Sequence, residues 1–199
     1  IQLLDQNTIN KIAAGEVIER PSSVVKELVE NAIDAGATAV TIEIKDGGIS
    51  FIRITDNGSG ISKDDIPMAF LRHSTSKIKS IEDLMNVSSL GFRGEALSSI
   101  AAVAQVELIT KTYEELTGTR YVIEGSKEIE NEEIGAPEGT TFIVRNLFYN
   151  VPARRKFLKT AQTEAGYISD KLIASSNAVV FSYVLYLIAK YDYKLDAAQ

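Results

Sequence analysis

The feature that most restricts the fold is a pair of alternating segments separated by only three residues. TAVTIEIK, at 38–45, and ISFIRIT, at 49–55, alternate apolar and polar side chains, with Asp46, Gly47 and Gly48 between them. This pattern predicts an antiparallel hairpin with one buried face. Later segments QVELITKTY, TRYVIEG and TTFIVRN also read as strands. Because these strands meet through short turns and not through helical crossovers, a mixed, largely antiparallel sheet with helices on one face is favoured over a doubly wound sheet.

Local start and stop signals predict the helices around this sheet. Pro21 at a first-turn position opens a helix that runs to about Ala35, and Gly36 can take the left-handed conformation that ends it. Ser62, with Asp65 three residues later, predicts a short helix that extends through Phe70. The segment SLGFRGEALSSIAAVA predicts a loop between glycines followed by a helix of small residues.

Composition excludes several classes of protein. The chain has 199 residues, which fits one domain or one domain and part of a second, and it has no cysteine. Disulfide scaffolds, thiolate zinc sites and cysteine nucleophiles are therefore excluded, and a cytoplasmic location is expected. The N-terminal segment IQLLDQNTINK shows no signal-peptide pattern. The longest apolar run, at 178–189, is shorter than the ~18 residues that span a bilayer, so no membrane role is expected.

Charge argues against strong nucleic-acid binding through phosphate contacts alone. The net charge is −6, and the one concentrated basic patch is Arg154, Arg155 and Lys156. This patch can contact DNA or can be a solvated helix end.

Three separate elements carry residues suited to a binding site. At about 100° per residue, Glu27, Asn31 and Asp34 fall within about 60° on the first predicted helix, apart from the strip with Lys26 and Glu30. The other two elements are a D-x-G-x-G at Asp56, Gly58 and Gly60, and a G-x-x-G at Gly91 and Gly94. Alone, each also fits a structural interpretation: a solvated helix face, a strand-ending turn and a loop with a helix cap. Their occurrence together favours a common site.

Two nucleotide-binding motifs do not account for these elements. No segment supplies the G-x-x-x-x-G-K-[ST] of a phosphate-binding P-loop. A dinucleotide fingerprint requires a third small residue where Lys63 stands, and it requires a parallel topology where a hairpin is predicted.

The combination of ELVENAID, DNGSGI and GFRGEAL, with IAAGEVIERP, HSTSK and LFYNVPARRKFL, resembles the N-terminal ATPase region of the MutL family of DNA mismatch repair proteins. The resemblance covers roughly residues 1–170 and places the chain within the wider GHKL superfamily. It implies an α+β fold, a two-layer α/β sandwich of the GHKL (Bergerat) type. It also implies an ATPase domain at 1–176, followed at 177–199 by a divergent or truncated start of a second α/β domain.

The resemblance also implies roles for individual residues, with ATP and Mg²⁺ as ligands. Glu27 would activate the attacking water, Asn31 would bind Mg²⁺, and Asp56 would accept the adenine amino group. Gly58 and Gly60 would let the backbone approach the base. Asp34 would bind nucleotide or hold loop backbone as a structural carboxylate. The remaining nucleotide-binding residues predicted in this way are Thr75, Ser76, Lys77, Leu90, Gly91, Phe92, Arg93, Gly94, Glu95, Ala96, Leu97 and Thr141.

The resemblance implies a function for the whole protein. The segment 90–97 would fold over the triphosphate, so that a slow, Mg²⁺-dependent ATPase acts as a conformational and dimerisation switch. Partners would be a MutS-type mismatch recognition protein, DNA bound weakly and mostly through parts outside this chain, and a second copy in the full-length protein. Hydrolysis by this chain alone is expected to be weak, because the family's second domain supplies a catalytic lysine that no residue here matches.

Two alternatives remain open at this point. One is the ATPase domain of another GHKL machine, such as a type II topoisomerase subunit, against which GFRGEAL and IAAGEVIERP argue. The other is an interaction module that keeps the fold but binds no nucleotide, against which intact Glu27, Asn31 and Asp56 argue. His73, the only histidine, is interpreted as a loop residue.

Overall fold

A computed structural model describes residues 5–72, 74 and 94–174 of the chain. Its strands are β1 (Val40–Lys45), β2 (Phe51–Asp56), β3 (Gln105–Lys111), β4 (Gly118–Glu124), β5 (Lys127–Ile134) and β6 (Gly139–Arg145). Its α-helices are α1 (Gln6–Val17), α2 (Pro21–Asp34), α3 (Ile66–Ala69), α4 (Ala96–Val103), α5 (Pro152–Arg155) and α6 (Ala161–Ala174).

The strands form one sheet in the order β1-β2-β6-β3-β4-β5, and every neighbouring pair is antiparallel. The predicted hairpin is β1 and β2, joined by a 3-10 turn at Asp46–Gly48. Both glycines of this turn have positive φ, 65° at Gly47 and 85° at Gly48. These glycines allow the tight connection between the two predicted strands.

The core lies between one face of the sheet and the helices. Alternate side chains of β2, such as Ile52 and Ile54, are buried on this face, where Val25 and Leu28 of α2 are also buried. The opposite face carries charged pairs, among them Arg145 with Glu107. Helices on one face of an antiparallel sheet agree with the predicted layers.

Of two predicted helices, one begins at the predicted residue and the other begins later. α2 begins at Pro21, and Gly36 follows it with φ of +73°, as expected. The helix predicted to start at Ser62 begins only at Ile66. The hydroxyl of Ser62 donates to Asp65 Oδ2 at 2.7 Å and caps no backbone amide, so the sequence pattern formed a turn before the helix.

β5 is a strand that the sequence pattern did not reveal. It reads KEIENEEI, and all its residues except the half-buried Ile134 are exposed. An edge strand exposed on both faces has no apolar alternation to identify it. Its glutamates discourage pairing of the open edge with another strand.

The carbonyl groups at the end of α4 are bound by three donors from two other segments. Ser126 N–H donates to Ala101 O at 3.0 Å, and Asn150 Nδ2 donates to Ala102 O at 2.9 Å. Phe148 N–H donates to Val103 O at 2.8 Å. Helix carbonyls at a C-terminus need such partners, so the LFYN segment at 147–150 fixes one end of α4.

One member of the basic patch is a structural residue. Arg154 is half-buried, and its Nη1 donates to the carbonyl of Ile18, which follows α1, at 3.1 Å. An added Cβ at Gly15 would lie 1.7 Å from Arg154 Nη2, so the guanidinium occupies the space that this glycine leaves. Arg155 and Lys156 are exposed. DNA contact through the patch stays a prediction. In this conformation, Arg155 and Lys156 are the members of the patch whose side chains are exposed for such a contact.

α6 packs on α2 and on the hairpin turn, and its residues Ile168 and Leu172 belong to the same core. The predicted domain boundary at 176 and the apolar run at 178–189 lie outside the described residues. Within the ranges that are described, no helix is long and apolar enough to cross a membrane.

Candidate functional site

Asp56 stands at the end of β2 with a buried carboxylate, 8% exposed. Gly58 N–H donates to its Oδ1 at 2.8 Å, and the Thr140 amide also donates to the carboxylate. Burial raises the pKa of Asp56, and these two hydrogen bonds oppose the increase. Because an ionised carboxylate has about four acceptor positions, two amides leave capacity for another donor.

The segment 56–63, called here the glycine loop, is docked on the end of α2. Asn57 Oδ1 accepts the amides of Thr38 and Ala39, each at 2.9 Å, and its Nδ2 donates to Thr38 Oγ1 at 2.8 Å. Ser59 N–H donates to Ala35 O at 3.0 Å. The base of the loop and the C-terminal turn of α2 therefore form one rigid unit. Sequence reasoning missed Asn57, although it lies inside the D-x-G-x-G motif.

The two glycines of this motif are required by protein contacts. A Cβ at Gly58 would lie 2.9 Å from both Ala35 Cβ and Asp56 Oδ1. Gly60 has φ of +73°, and a Cβ there would lie 2.2 Å from Lys111 O at the end of β3. The glycines thus allow the loop to pack between α2 and β3. Close approach to a bound base stays a prediction.

The polar residues of α2 lie on the helix as expected from their spacing. Glu27 and Asn31 are half-buried, and Asp34, the last residue of the helix, is exposed. Asn31 lies one turn before Ala35, the residue that accepts from the glycine loop. Side chains four residues apart lie on the same side of a helix, so Glu27 and Asn31 can contact the same ligand.

Lys26 joins two strips of α2 that were predicted to be separate. Its Nζ lies 3.0 Å from Glu27 Oε1 and 2.9 Å from Glu30 Oε2. Burial lowers the pKa of Lys26, but the hydrogen bonds to Glu30 and Glu27 outweigh it and the pKa is raised. The lysine therefore stays charged and holds the Glu27 carboxylate in place.

A row of polar side chains crosses the helix-facing side of the sheet, beginning at Asp56. Asp56 pairs with Thr140 of β6, Thr140 pairs with Thr110 of β3, and Thr110 pairs with Thr119 of β4. All four are buried. Thr110 Oγ1 accepts Ile61 N–H at 2.9 Å and donates to Gly139 O at 3.0 Å. The sequence interpretation missed these threonines, and the available signal was a threonine at the matching end of each predicted strand.

The structure places Thr141 on the face of the sheet opposite Asp56. Its ladder partners are Thr55 and Ile109, and its hydroxyl lies 3.0 Å from Thr55 Oγ1. Since side chains alternate along a strand, Thr140 occupies the face of the site in place of Thr141. A nucleotide contact from the side chain of Thr141 stays a prediction without support from this geometry.

Of the two remaining predicted segments, only a few residues are described. Gly94 has φ of +61°, and a Cβ there would lie 2.4 Å from Ser74 O, so these two residues are in contact. Glu95 forms an ion pair with Arg72, in which Oε1 lies 3.6 Å from Nη2. Ala96 and Leu97 are the first two residues of α4. The other predicted residues, Thr75, Ser76, Lys77, Leu90, Gly91, Phe92 and Arg93, lie outside the described residues, as does His73. A second helix-start pattern of the same kind as Ser62 with Asp65, formed by Ser80 with Asp83 three residues later, also lies outside them.

A metal ion would have few protein ligands here. In the described ranges, no group of three or more histidines, aspartates or glutamates is placed to hold a metal. The amide oxygen of Asn31 is a type of ligand that Mg²⁺ accepts, and this ion usually keeps several waters and binds substrate phosphates. The residues present therefore fit Mg²⁺ delivered with a nucleotide.

Comparison with known families identifies the arrangement. The family described as histidine kinase-, DNA gyrase B-, and HSP90-like ATPase matches residues 18–142. This chain belongs to that ATPase family. The matched range contains α2, the hairpin, the glycine loop and all four residues of the polar row.

Relatives in this ATPase family extend the likeness over most of the chain. A DNA mismatch repair protein MutL of Agathobacter rectalis is 75% identical over 187 residues, which are 92% of this chain and 29% of the relative. A MutL of Caldanaerobacter subterraneus subsp. tengcongensis is 54% identical over 187 residues, 92% of this chain and 32% of the relative. The chain thus spans about a third of the length of these relatives.

A solved structure shows the same fold. The Aquifex aeolicus MutL ATPase domain complexed with ADP has a TM-score of 0.59 and 37% identity, with 77% of this chain and 53% of that chain covered. The predicted two-layer α+β sandwich of the GHKL type is confirmed. The predicted resemblance to the ATPase region of MutL is confirmed as well.

Proposed function

We propose that this chain is the part of a MutL-type DNA mismatch repair protein that binds ATP and slowly hydrolyses it. The observation that carries the proposal is the buried Asp56 carboxylate, held by two backbone amides at a loop docked on α2. The ADP complex of the similar Aquifex aeolicus domain supports it. Neither a topoisomerase subunit nor a nucleotide-free module is favoured by any of these observations.

Asp56 supplies selectivity for adenine. Its carboxylate can only accept hydrogen bonds while it is ionised, and the adenine amino group is a donor. Guanine carries an oxygen acceptor at the corresponding edge, which would face the carboxylate without a shared proton. Thr140 and Gly58 keep the carboxylate oriented, because both donate backbone hydrogen bonds to it.

Glu27 and Asn31 supply the hydrolytic side of the site. Glu27 accepts a proton from the water that attacks the γ-phosphate, and Lys26 orients its carboxylate. Asn31 would contribute an amide oxygen to Mg²⁺, and the ion would neutralise charge on the phosphates. Asp34 is exposed at the end of α2, and we propose that it binds nucleotide or holds loop backbone.

The function proposed for the whole protein follows its relatives, the MutL mismatch repair proteins. ATP binding would drive a conformational and dimerisation switch that reports to a MutS-type mismatch recognition protein, with weak DNA contact mostly outside this chain. A cytoplasmic location is proposed, supported by the absence of cysteine. Hydrolysis by this chain alone is proposed to be weak, because no residue matches the family's second-domain lysine.

Replacing Asp56 by asparagine tests the proposal. The variant should bind ADP about 1–3 kcal/mol more weakly, because a hydrogen bond to a charged acceptor is lost and a buried polar group loses its partner. Isothermal titration calorimetry of ADP with Mg²⁺ measures the change. Asp64→Asn is the matched control, because Asp64 is an exposed residue of the same loop region. Equal ADP affinity in Asp56→Asn and the parent would remove Asp56 from the base site.

A further inference from the structure

Glu115 lies in the connection between β3 and β4, outside every motif from which the site was predicted. Its Oε1 accepts the backbone N–H of Lys63, at the end of the glycine loop, at 2.9 Å. Its Oε2 accepts the N–H of Thr112 at 3.0 Å and the hydroxyl of Thr112 at 2.8 Å. One carboxylate therefore links two loops that are far apart in sequence.

The hydrogen bonds from Thr112 fix the orientation of the Glu115 carboxylate that contacts the glycine loop. These bonds hold Oε2 at Thr112, the first residue of the β3–β4 connection, and Oε1 accepts the Lys63 amide. Hydrogen bonds from the Lys63 and Thr112 amides lower the pKa of Glu115, which keeps the carboxylate ionised. Hydrogen bonds to an ionised acceptor are about twice as strong as neutral ones.

The Lys63 contact completes a series of contacts along the downstream half of the glycine loop. Gly60 packs so closely on Lys111 that a Cβ would lie 2.2 Å from the Lys111 carbonyl oxygen. Ile61 N–H donates to Thr110 Oγ1 at 2.9 Å, and Lys63 N–H donates to Glu115. The upstream half of the loop is held instead by α2, through Ala35. The loop is thus fixed on both sides, and Glu115 provides its last attachment.

We propose that Glu115 is a positioning residue for the base site, which acts through the Lys63 amide to hold the glycine loop in the conformation that binds adenine. The proposal rests on the proposed function, because it assigns Glu115 to the same nucleotide site. It adds the β3–β4 connection to the elements that determine adenine affinity.

The test compares ADP and adenosine binding in the parent, Glu115→Ala and Glu115→Gln. Glu115→Ala should weaken both ligands by the same factor of about 3–10, less than a direct charged hydrogen bond because the effect is indirect. Adenosine is included because it has no phosphates, so an equal loss locates the effect at the base. Glu115→Gln keeps an acceptor oxygen and should fall between the parent and Glu115→Ala.

Two control variants separate this contact from nearby charge. Glu114→Ala removes the exposed neighbouring carboxylate. Glu133→Gln removes the negative charge that pairs with the Lys63 ammonium, whose Nζ lies 2.5 Å from Glu133 Oε1, and leaves the Lys63 amide bound to Glu115. Both controls should keep the parent's affinity for ADP and adenosine.

Hydrogen exchange supplies a readout at the contact itself. In Glu115→Ala the Lys63 amide should exchange faster, while the Leu108 amide in β3 should keep its protection. A variant with lower resistance to urea but unchanged affinity for both ligands would show a merely structural role and overturn the proposal. An equal loss of affinity in Glu114→Ala would also overturn it. A parent that fails to bind ADP would overturn the proposed function, whereas equal binding by the parent and Glu115→Ala overturns only this inference.

Discussion

Replacing Glu27 by alanine is expected to lower ATP hydrolysis by about 10²- to 10⁴-fold, the usual contribution of a general base. ATP binding should persist, because the base site at Asp56 lies on a different element. Single-turnover phosphate release, with ATP binding measured in parallel, separates the two effects. The parent rate is itself expected to be low, so a sensitive assay and long time courses are required.

Glu30→Ala is the matched control for this variant. Glu30 lies on the same helix and binds the same lysine, with Lys26 Nζ 2.9 Å from its Oε2. Its removal changes the local charge as much as the removal of Glu27 does, but Glu30 is not proposed to contact the attacking water. Glu30→Ala should therefore hydrolyse ATP at nearly the parent rate. Unchanged hydrolysis in Glu27→Ala, or equal losses in both variants, would show that Glu27 is not the base.

Replacing Gly139 by alanine is expected to lower the stability of the fold strongly. Gly139 has φ of +108°, and its Cβ would lie 2.2 Å from the carbonyl oxygen of Asp56. The strained backbone and the displaced neighbour together should lower the free energy of unfolding by about 2–6 kcal/mol. Because a domain has only about 5–15 kcal/mol of stability, much of this chain should unfold at low urea. The same shift would displace Asp56, so nucleotide affinity should also fall.

Gly135→Ala is the control, because Gly135 precedes the same strand and a Cβ there meets nothing within 4 Å. Its φ is not positive, so an alanine fits the backbone. Urea unfolding should show a change within about 0.5 kcal/mol for this variant. If Gly139→Ala unfolds at the same urea concentration as Gly135→Ala, the close approach of β6 to Asp56 is not as described.

The parts of the fold that the sequence predicted are those determined locally. The β1–β2 hairpin depends on alternation and on the glycines between its strands, and α2 depends on Pro21 and Gly36. The Asp56 loop was recognisable from its glycines, because Gly60 has φ of +73°, a conformation that residues with a side chain rarely adopt. Such requirements are visible in a short window of sequence.

The features that the sequence did not predict depend on pairing between distant segments. Whether Thr140 or Thr141 faces the site is decided by the register of β6 against β2. Arg154 looked like part of a basic patch, but it fills the space left by Gly15 and binds Ile18 O. β5 has no buried face, so nothing in its pattern distinguishes it from a charged loop.

If the Asp56 carboxylate selects adenine over guanine, the ratio of ADP to GDP affinity depends on this side chain. Calorimetry with Mg²⁺ on the parent and on Asp56→Asn gives this ratio for both proteins. We expect the parent to bind ADP at least about tenfold more tightly than GDP. In the GDP complex the guanine oxygen would face the Asp56 carboxylate, and both groups are acceptors in a buried site. In Asp56→Asn, whose amide can donate to guanine, the ratio should fall towards one. A parent that binds the two nucleotides equally, or a ratio that is the same in both proteins, would show that Asp56 does not select adenine.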